Sequence, residues 1–317
     1  MSRTAMSVAP ARLPGVLVAG ATALISGVSV FVNSYGVHAV PTAAVYTTAK
    51  NLVAAILLAT AALLVPALRG RGPGDRPART AGAPPGAPWA RAAALAYVGA
   101  VGGGLAFVLF FTGLARTSAE PAAFVHDTLI VWVGVLAWPA LRERLSVWNV
   151  GAVGLLVAGE ALAAGGVGNL VAGSGELLVL GATLLWAVEI VVAKRLLATL
   201  SPGSVALVRM GGGSALLVAY LAATGQLHTL MALDARQLGW ALLTGALLAC
   251  YVGTWLIALA RARAVDVTSV LVASVVVTAL LQTAAGHGSL VPQLAGLGLV
   301  VAGTAAVLWS WPRRASA

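Results

Sequence analysis

Apolar runs of about 20 residues, the length that carries a helix across a bilayer core, recur along this chain from residue 13 to residue 311. Nothing else in the sequence constrains the fold as much. The runs cover 13–33, 41–65, 92–114, 119–140, 147–165, 173–193, 203–223, 238–260, 266–285 and 291–311, so the sequence predicts ten crossings. Barrel strands are excluded because they alternate polar and apolar residues, whereas these runs are apolar on every side. Composition agrees: 60% hydrophobic and 9% charged residues leave too little polar surface for a water-soluble globule.

The net charge of +10 would point to nucleic acid in a soluble protein. Its placement points to a membrane instead. With the N-terminus inside, 15 of the 19 basic residues fall on the cytoplasmic side. Only Arg116 and Arg236 fall outside, and Lys50 and Arg209 lie within spans. Basic residues near span ends are retained in the cytoplasm during insertion, so both termini are expected there, in the inner (plasma) membrane. The first run, preceded by Arg3 and Arg12, is read as an uncleaved span because it is longer than a signal-peptide core. The lone Cys250 excludes an internal disulfide and a cysteine metal cluster.

Residues 66–90, rich in Pro, Gly and Arg, read as a disordered cytoplasmic loop with a candidate lipid-headgroup contact. The remaining runs repeat. "GLLVAG" at 154–159 matches "GLVVAG" at 298–303, "GLARTSA" from 113 resembles "ALARARA" from 258, and Pro41 and Pro202 each stand where one span gives way to the next. The sequence therefore divides into a tail (1–12), a first five-helix half (13–165), a second half (173–311) and a tail (312–317). Five crossings per half is odd, so the second copy enters the membrane in the opposite sense. The fold class is an all-α membrane protein of two inverted five-helix repeats, the architecture of many secondary transporters.

Ionisable groups inside hydrocarbon cost about 2.5–3.5 kcal/mol each at the centre unless they are paired or hydrated, so they mark function. The six here are Lys50, His126, Asp127, Glu160, Glu189 and Arg209. At about 1.5 Å rise per residue, Lys50 and Asp127 fall at a similar depth in the outer half of the membrane, Glu189 and Arg209 in the inner half. This predicts an outer and an inner polar lock, one breaking as the other forms; the alternative is static pairing. His126 is a candidate titrating group in a water-filled cavity, and Asp127, Glu160 and Glu189 are candidates for proton coupling. Asn33, Tyr46, Trp132, Trp186 and Tyr251 are candidate solute contacts, against the commoner reading of aromatics as anchors or packing. Gly99, Gly103, Gly154, Gly159, Gly298 and Gly303 read as sites where helices approach closely.

The order and spacing of "SGVSVFVNSYGVHAVPTAAVYTTAKNLVAAILL" from Ser26, "GLARTSAEPAAF" from Gly113, "LRERLSVWNVGAVGLLVAGEAL" from Leu141 and "LLWAVEIVVAKRLLATLSP" from Leu184 resemble the EamA family of the drug/metabolite transporter superfamily. Departures are visible. Arg142 replaces the family's glycine before Glu143, and His287 stands where the second half has its acid. Lys50 replaces an arginine, with Arg209 two positions earlier in the matching helix, and the proline midway along the fourth helix is missing near Thr128. The resemblance implies a ten-helix carrier with cytoplasmic termini and a solute path between the halves.

The expected function is a secondary-active carrier of a small organic metabolite, of the amino acid, nucleobase or drug-like class, with protons as candidate coupling ion. A flippase for a lipid-linked substrate, a channel and an intramembrane enzyme are the competing classes. No Walker A loop, zinc-protease motif or paired-aspartate motif is present in the sequence. No cofactor or metal is therefore expected. Expected partners are the solute, membrane lipids and protons, with the chain a monomer or homodimer and no nucleic acid.

Overall fold

The computed structural model describes residues 13–69, 88–117, 122, 125–143, 147–163, 173–286 and 290–313. Among these residues every regular element is helical. The principal helices are α1 (Leu13–Ala39), α2 (Ala43–Leu64), α3 (Pro88–Leu114), α4 (Val125–Leu141) and α5 (Val147–Ala163) in the first half. The second half has α6 (Ser174–Leu196), α7 (Pro202–Ala223), α8 (Ala235–Arg261), α9 (Ala264–Ala284) and α10 (Leu294–Arg313). Seven of them, α1, α2, α3, α6, α7, α8 and α9, are long and apolar enough to cross a membrane. Helix α4 and the apolar part of α10, Leu294–Ala306, are shorter apolar helices.

Local chemistry starts the helices where caps occur. Thr42 accepts the backbone N–H of Val45 to open α2, and Ser201 accepts that of Ser204 with Pro202 beside it to open α7. Asp234 and Gln237 exchange side-chain and backbone hydrogen bonds in a capping box at the start of α8. Inside the helices, Thr47, Thr48, Thr183, Thr268 and Ser269 return their hydroxyls to the carbonyl one turn back, so these five donors are satisfied in an apolar interior.

The halves interlock rather than sit side by side. Helix α1 packs on α8 and α9, and its counterpart α6 packs on α3 and α4; α2 packs on α8, and its counterpart α7 on α3. The pairs α2 with α7, α4 with α9 and α5 with α10 close the set. Exchanging each helix with the one five places along returns these principal contacts, which is the behaviour of a pseudo-two-fold molecule. The fourth helix of each half is interrupted as well: α4 carries a turn at Thr128, and α9 one at Val272 and Ala273. The break near Thr128 thus forms without the proline that the resemblance led one to look for there.

Several boundaries differ from the sequence reading. The segment 66–90 is helical at both edges, at Pro66–Arg69 and from Pro88 onward, while 70–87 lie outside the described residues. Leu68 is buried, and its carbonyl lies against Gly203 at the start of α7, so an apolar anchor folds this edge of an otherwise Pro/Gly-rich stretch. Helix α1 continues past residue 33 to Ala39, and α10 continues past 311 to Arg313. The tails 1–12 and 314–317 lie outside the described residues.

Candidate functional site

Helix α3 holds the centre of the molecule because of its irregularity. Tyr97–Leu105, "YVGAVGGGL", is π-helical, a widened form that leaves carbonyls free for side chains and recurs at functional sites. Three side chains use those carbonyls. Asn51 Nδ2 donates to Gly103 O at 3.1 Å, Trp186 Nε1 to Gly102 O at 3.0 Å, and Arg209 Nη2 to Gly102 O at 3.5 Å. The glycines bring this backbone directly onto α7 and α6: a Cβ on Gly103 would run into the carbonyl of Arg209 on α7, and one on Gly102 into the carboxylate of Glu189 on α6. Gly154 and Gly298, expected to mark close approaches, face open space, whereas Gly159 lies against the carbonyl of Gly296.

Against this backbone sits a side-on ion pair. Arg209 Nε donates to Glu189 Oε1 at 2.6 Å and Nη2 to Oε2 at 3.1 Å, with both residues almost fully buried. The paired oxygens and the flat guanidinium fork match, so two charges satisfy each other where either alone would be costly. This is the inner pairing that the sequence suggested.

Lys50 is arranged differently. Its Nζ donates to Asn33 Oδ1 at 2.8 Å, and the same oxygen accepts the Tyr46 hydroxyl at 2.6 Å. The ammonium stands 4.1 Å from the ring centroid of Phe111, 5.2 Å from Tyr46 and 5.9 Å from Phe107. Each such ring contributes about 0.5–2 kcal/mol to a desolvated cation. Among the described residues Lys50 forms no ion pair. The outer pair with Asp127 is therefore not made in this conformation, and a neutral amide holds the lysine in its place.

The two cations are related by the repeat. Lys50 follows its cap Thr42 by as many residues as Arg209 follows its cap Ser201. The two-position offset read from Pro41 and Pro202 disappears, because Pro41 precedes its helix cap whereas Pro202 follows its own. Both cations also stand over one ring, with Arg209 Cζ 5.3 Å from the centroid of Phe107. Trp255 of α8 covers Arg209 from another side, at 5.5 Å.

Of the remaining candidates, His126 packs edge-on against Phe110 and Trp186, each at 5.2 Å between ring centroids, with its Nδ1 buried and lacking a hydrogen-bond partner. Trp186 also touches Phe107 and Phe110, joining α6 to the aromatic row on α3. Tyr251 on α8 lies within electrostatic reach of Arg209, Glu189 and Asp127. Asp127 is half-buried on α4, and Trp132 donates to Thr128 Oγ1 at 3.2 Å beside the break in that helix. Glu160 belongs to α5, and its side chain lies outside the described residues, as does His287. Asn33, Lys50, Trp186, Glu189 and Arg209 are thus brought together, with His126 joined to them through Trp186.

Several members of the cluster were not legible beforehand. Phe107, Phe110 and Phe111 look like ordinary apolar filling, and the free carbonyls of Gly102 and Gly103 leave no trace but the run of glycines. Glu143 stood out in the sequence only through the family resemblance, and its contacts were not foreseen. It lies after α4, accepts the backbone N–H of Ala264 at 3.1 Å and of Val265 at 3.3 Å at the start of α9, and has Arg263 Nε at 4.0 Å. On the same face Lys194 donates to the carbonyls of Leu259 and Ala262, both at 2.6 Å, at the end of α8. These charged groups sit at helix ends whose partial charges are opposite to their own. Away from the central cluster, Glu143 ties the first half to the second, and Lys194 links α6 to α8 within the second half.

A comparison with curated proteins finds no match for this chain. One solved crystal structure superposes on it with a TM-score of 0.71, covering 96% of this chain and 100% of its own at 19% identity, which establishes likeness of fold. The model of the EamA-like transporter family matches twice, over residues 13–164 and 173–309, once on each of the interlocked halves. With both matches together spanning nearly all of a helical, lipid-compatible chain, the protein is a multi-pass membrane protein of the EamA-like transporter family, within the drug/metabolite transporter superfamily.

Proposed function

We propose that this chain is a secondary carrier that moves a small organic metabolite by alternating access. Ten crossings in two inverted five-helix halves would place both termini in the cytoplasm and the solute path along the seam between halves. The observation that carries this reading is the equivalence of Lys50 and Arg209. Each half contributes one buried cation at the same helical position, and both stand over Phe107 where α2, α3 and α7 converge. Groups this costly to bury mark ion or solute pathways in membrane proteins. The formed Glu189–Arg209 pair, with Lys50 turned to Asn33, fits one end state of two alternating locks. Protons are the candidate coupling ion, and the role is transport rather than catalysis.

The test is reconstitution. A thermal-shift screen against amino acids, nucleobases, sugars and cations finds a ligand that raises apparent stability. Proteoliposomes preloaded with that compound then accumulate the labelled form transiently by counterflow. Flux that does not saturate and shows no counterflow is that of a channel and overturns the carrier.

A second reading, a flippase for a lipid-linked substrate, has its own support. An apolar groove of about 590 Å³ runs between α2 and α7, lined by Leu52, Ile56, Gly211, Ser214 and Val218 among others. Transbilayer movement of a fluorescent lipid in the same vesicles separates the two.

A further inference from the structure

We propose that the solute of this carrier bears an anionic oxygen group of the carboxylate kind, that this group pairs with Lys50 in the polar centre, and that organic cations are excluded from the site. The inference rests on the carrier reading and assigns it a substrate class.

Two equivalent positions are treated unequally. Arg209 has a carboxylate of its own: Glu189 meets it with both oxygens and is itself fully buried. Lys50, at the matching place on α2, has only the amide oxygen of Asn33, which also serves Tyr46. An ammonium carries three N–H donors. One is accounted for by Asn33, and the rings of Tyr46, Phe107 and Phe111 attract the cation without cancelling its charge.

Polar atoms elsewhere in the described interior are also left over. Asn51 Oδ1, one residue along α2, and His126 Nδ1, linked to the same aromatic row through Phe110, are buried without hydrogen-bond partners. Unsatisfied polar atoms are uncommon in finished interiors. A buried cation without a counter-ion lacks one anion, and the anionic group of a bound solute supplies it. The same uncompensated charge repels a cationic solute, which gives selectivity by charge.

The experiment uses the full-length protein in detergent and matched probes that differ only in head group: hexanoate and phenylacetate, their neutral amides, and hexylamine and phenethylamine. Unfolding midpoints are recorded for wild type, Lys50→Arg, Lys50→Met and Asn33→Asp. The carboxylates raise the wild-type midpoint while the amides and amines do not, and the response persists in Lys50→Arg. It weakens at least about ten-fold in apparent affinity in Lys50→Met, the factor that 1.4 kcal/mol represents. Asn33→Asp is the decisive variant. It gives Lys50 the built-in carboxylate that Glu189 gives Arg209, so its unliganded midpoint rises and its response to carboxylates disappears.

A midpoint raised by the amines overturns the proposal. It is also overturned by equal responses to carboxylate and amide, by no wild-type response to either carboxylate, or by an undiminished response in Asn33→Asp. Counterflow of labelled phenylacetate keeps this assignment apart from the carrier reading. Binding without counterflow sinks the carrier alone, and counterflow of phenethylamine sinks the charge assignment alone.

Discussion

Arg209 and Glu189 meet side-on, 2.6 Å apart at their closest atoms, in a space that exists because residue 102 has no side chain. The pair joins α6 to α7 within one half, and through Gly102 O it also grips the π-helical segment of the other half. Its removal tests two claims at once.

Glu189→Gln leaves a buried guanidinium without its counter-charge, and breaking such a pair from one side costs about 3–5 kcal/mol. The unfolding midpoint in detergent is expected to fall clearly. Glu189→Leu combined with Arg209→Met removes both charges and recovers most of the loss while transport stays abolished. A single Glu189 variant as stable as wild type would show that the arginine finds another partner.

The contact between α3 and α7 depends on absent side chains. Gly103→Ala and Gly213→Ala each drive a methyl group into the facing helix backbone, with an expected cost of about 1–3 kcal/mol. Gly211→Ala, on the same helix but with open space around it, is expected to leave the midpoint unchanged. Equal effects at the three positions would refute the close approach.

The alternating locks predict that the conformation opposite to this one pairs Lys50 with Asp127. Lys50→Asp and Asp127→Lys each abolish uptake of the solute found by screening, and the double swap restores a measurable part. No recovery over either single variant removes the outer lock while leaving the inner pair untouched.

Burial pushes the Glu143 carboxyl above its ordinary range; the backbone N–H groups of Ala264 and Val265 and the nearby Lys194 and Arg263 pull the other way without reversing it. A carboxyl that binds its proton more tightly in the folded protein than in the unfolded chain favours the fold at acid pH. That contribution is lost as pH rises from the unfolded value through the raised folded one. Wild type should therefore gain stability relative to Glu143→Gln as pH is lowered through this window, as read from paired midpoints. A flat difference would show that folding leaves the carboxyl's proton affinity unchanged, and one of opposite sign would make the charged form the favoured one.

The legible part of the site was its list of charges. Lys50, Glu189 and Arg209 stand out in apolar runs because each is expensive there, and depth counting paired the last two correctly. The same counting paired Lys50 with Asp127, whereas the side chain turns to Asn33. Depth along a helix says nothing about rotation around it, and a neighbour on the right face is closer than a carboxylate at the right height. Register was misjudged too, since Pro41 and Pro202 are conspicuous while the caps Thr42 and Ser201 are what start the helices.

By itself the sequence determined the solvent, the helical class and the doubling of the chain, because these follow from how apolar residues are distributed along it, and that distribution is one-dimensional. The tertiary structure alone decided that the π-helical turn of α3 offers carbonyls to Asn51, Trp186 and Arg209, and that one buried cation is neutralised while its equivalent is not. The physical reason is that charge compensation depends on which faces of helices distant in sequence are turned toward one another. Packing sets that rotation, and no local pattern of residues encodes it.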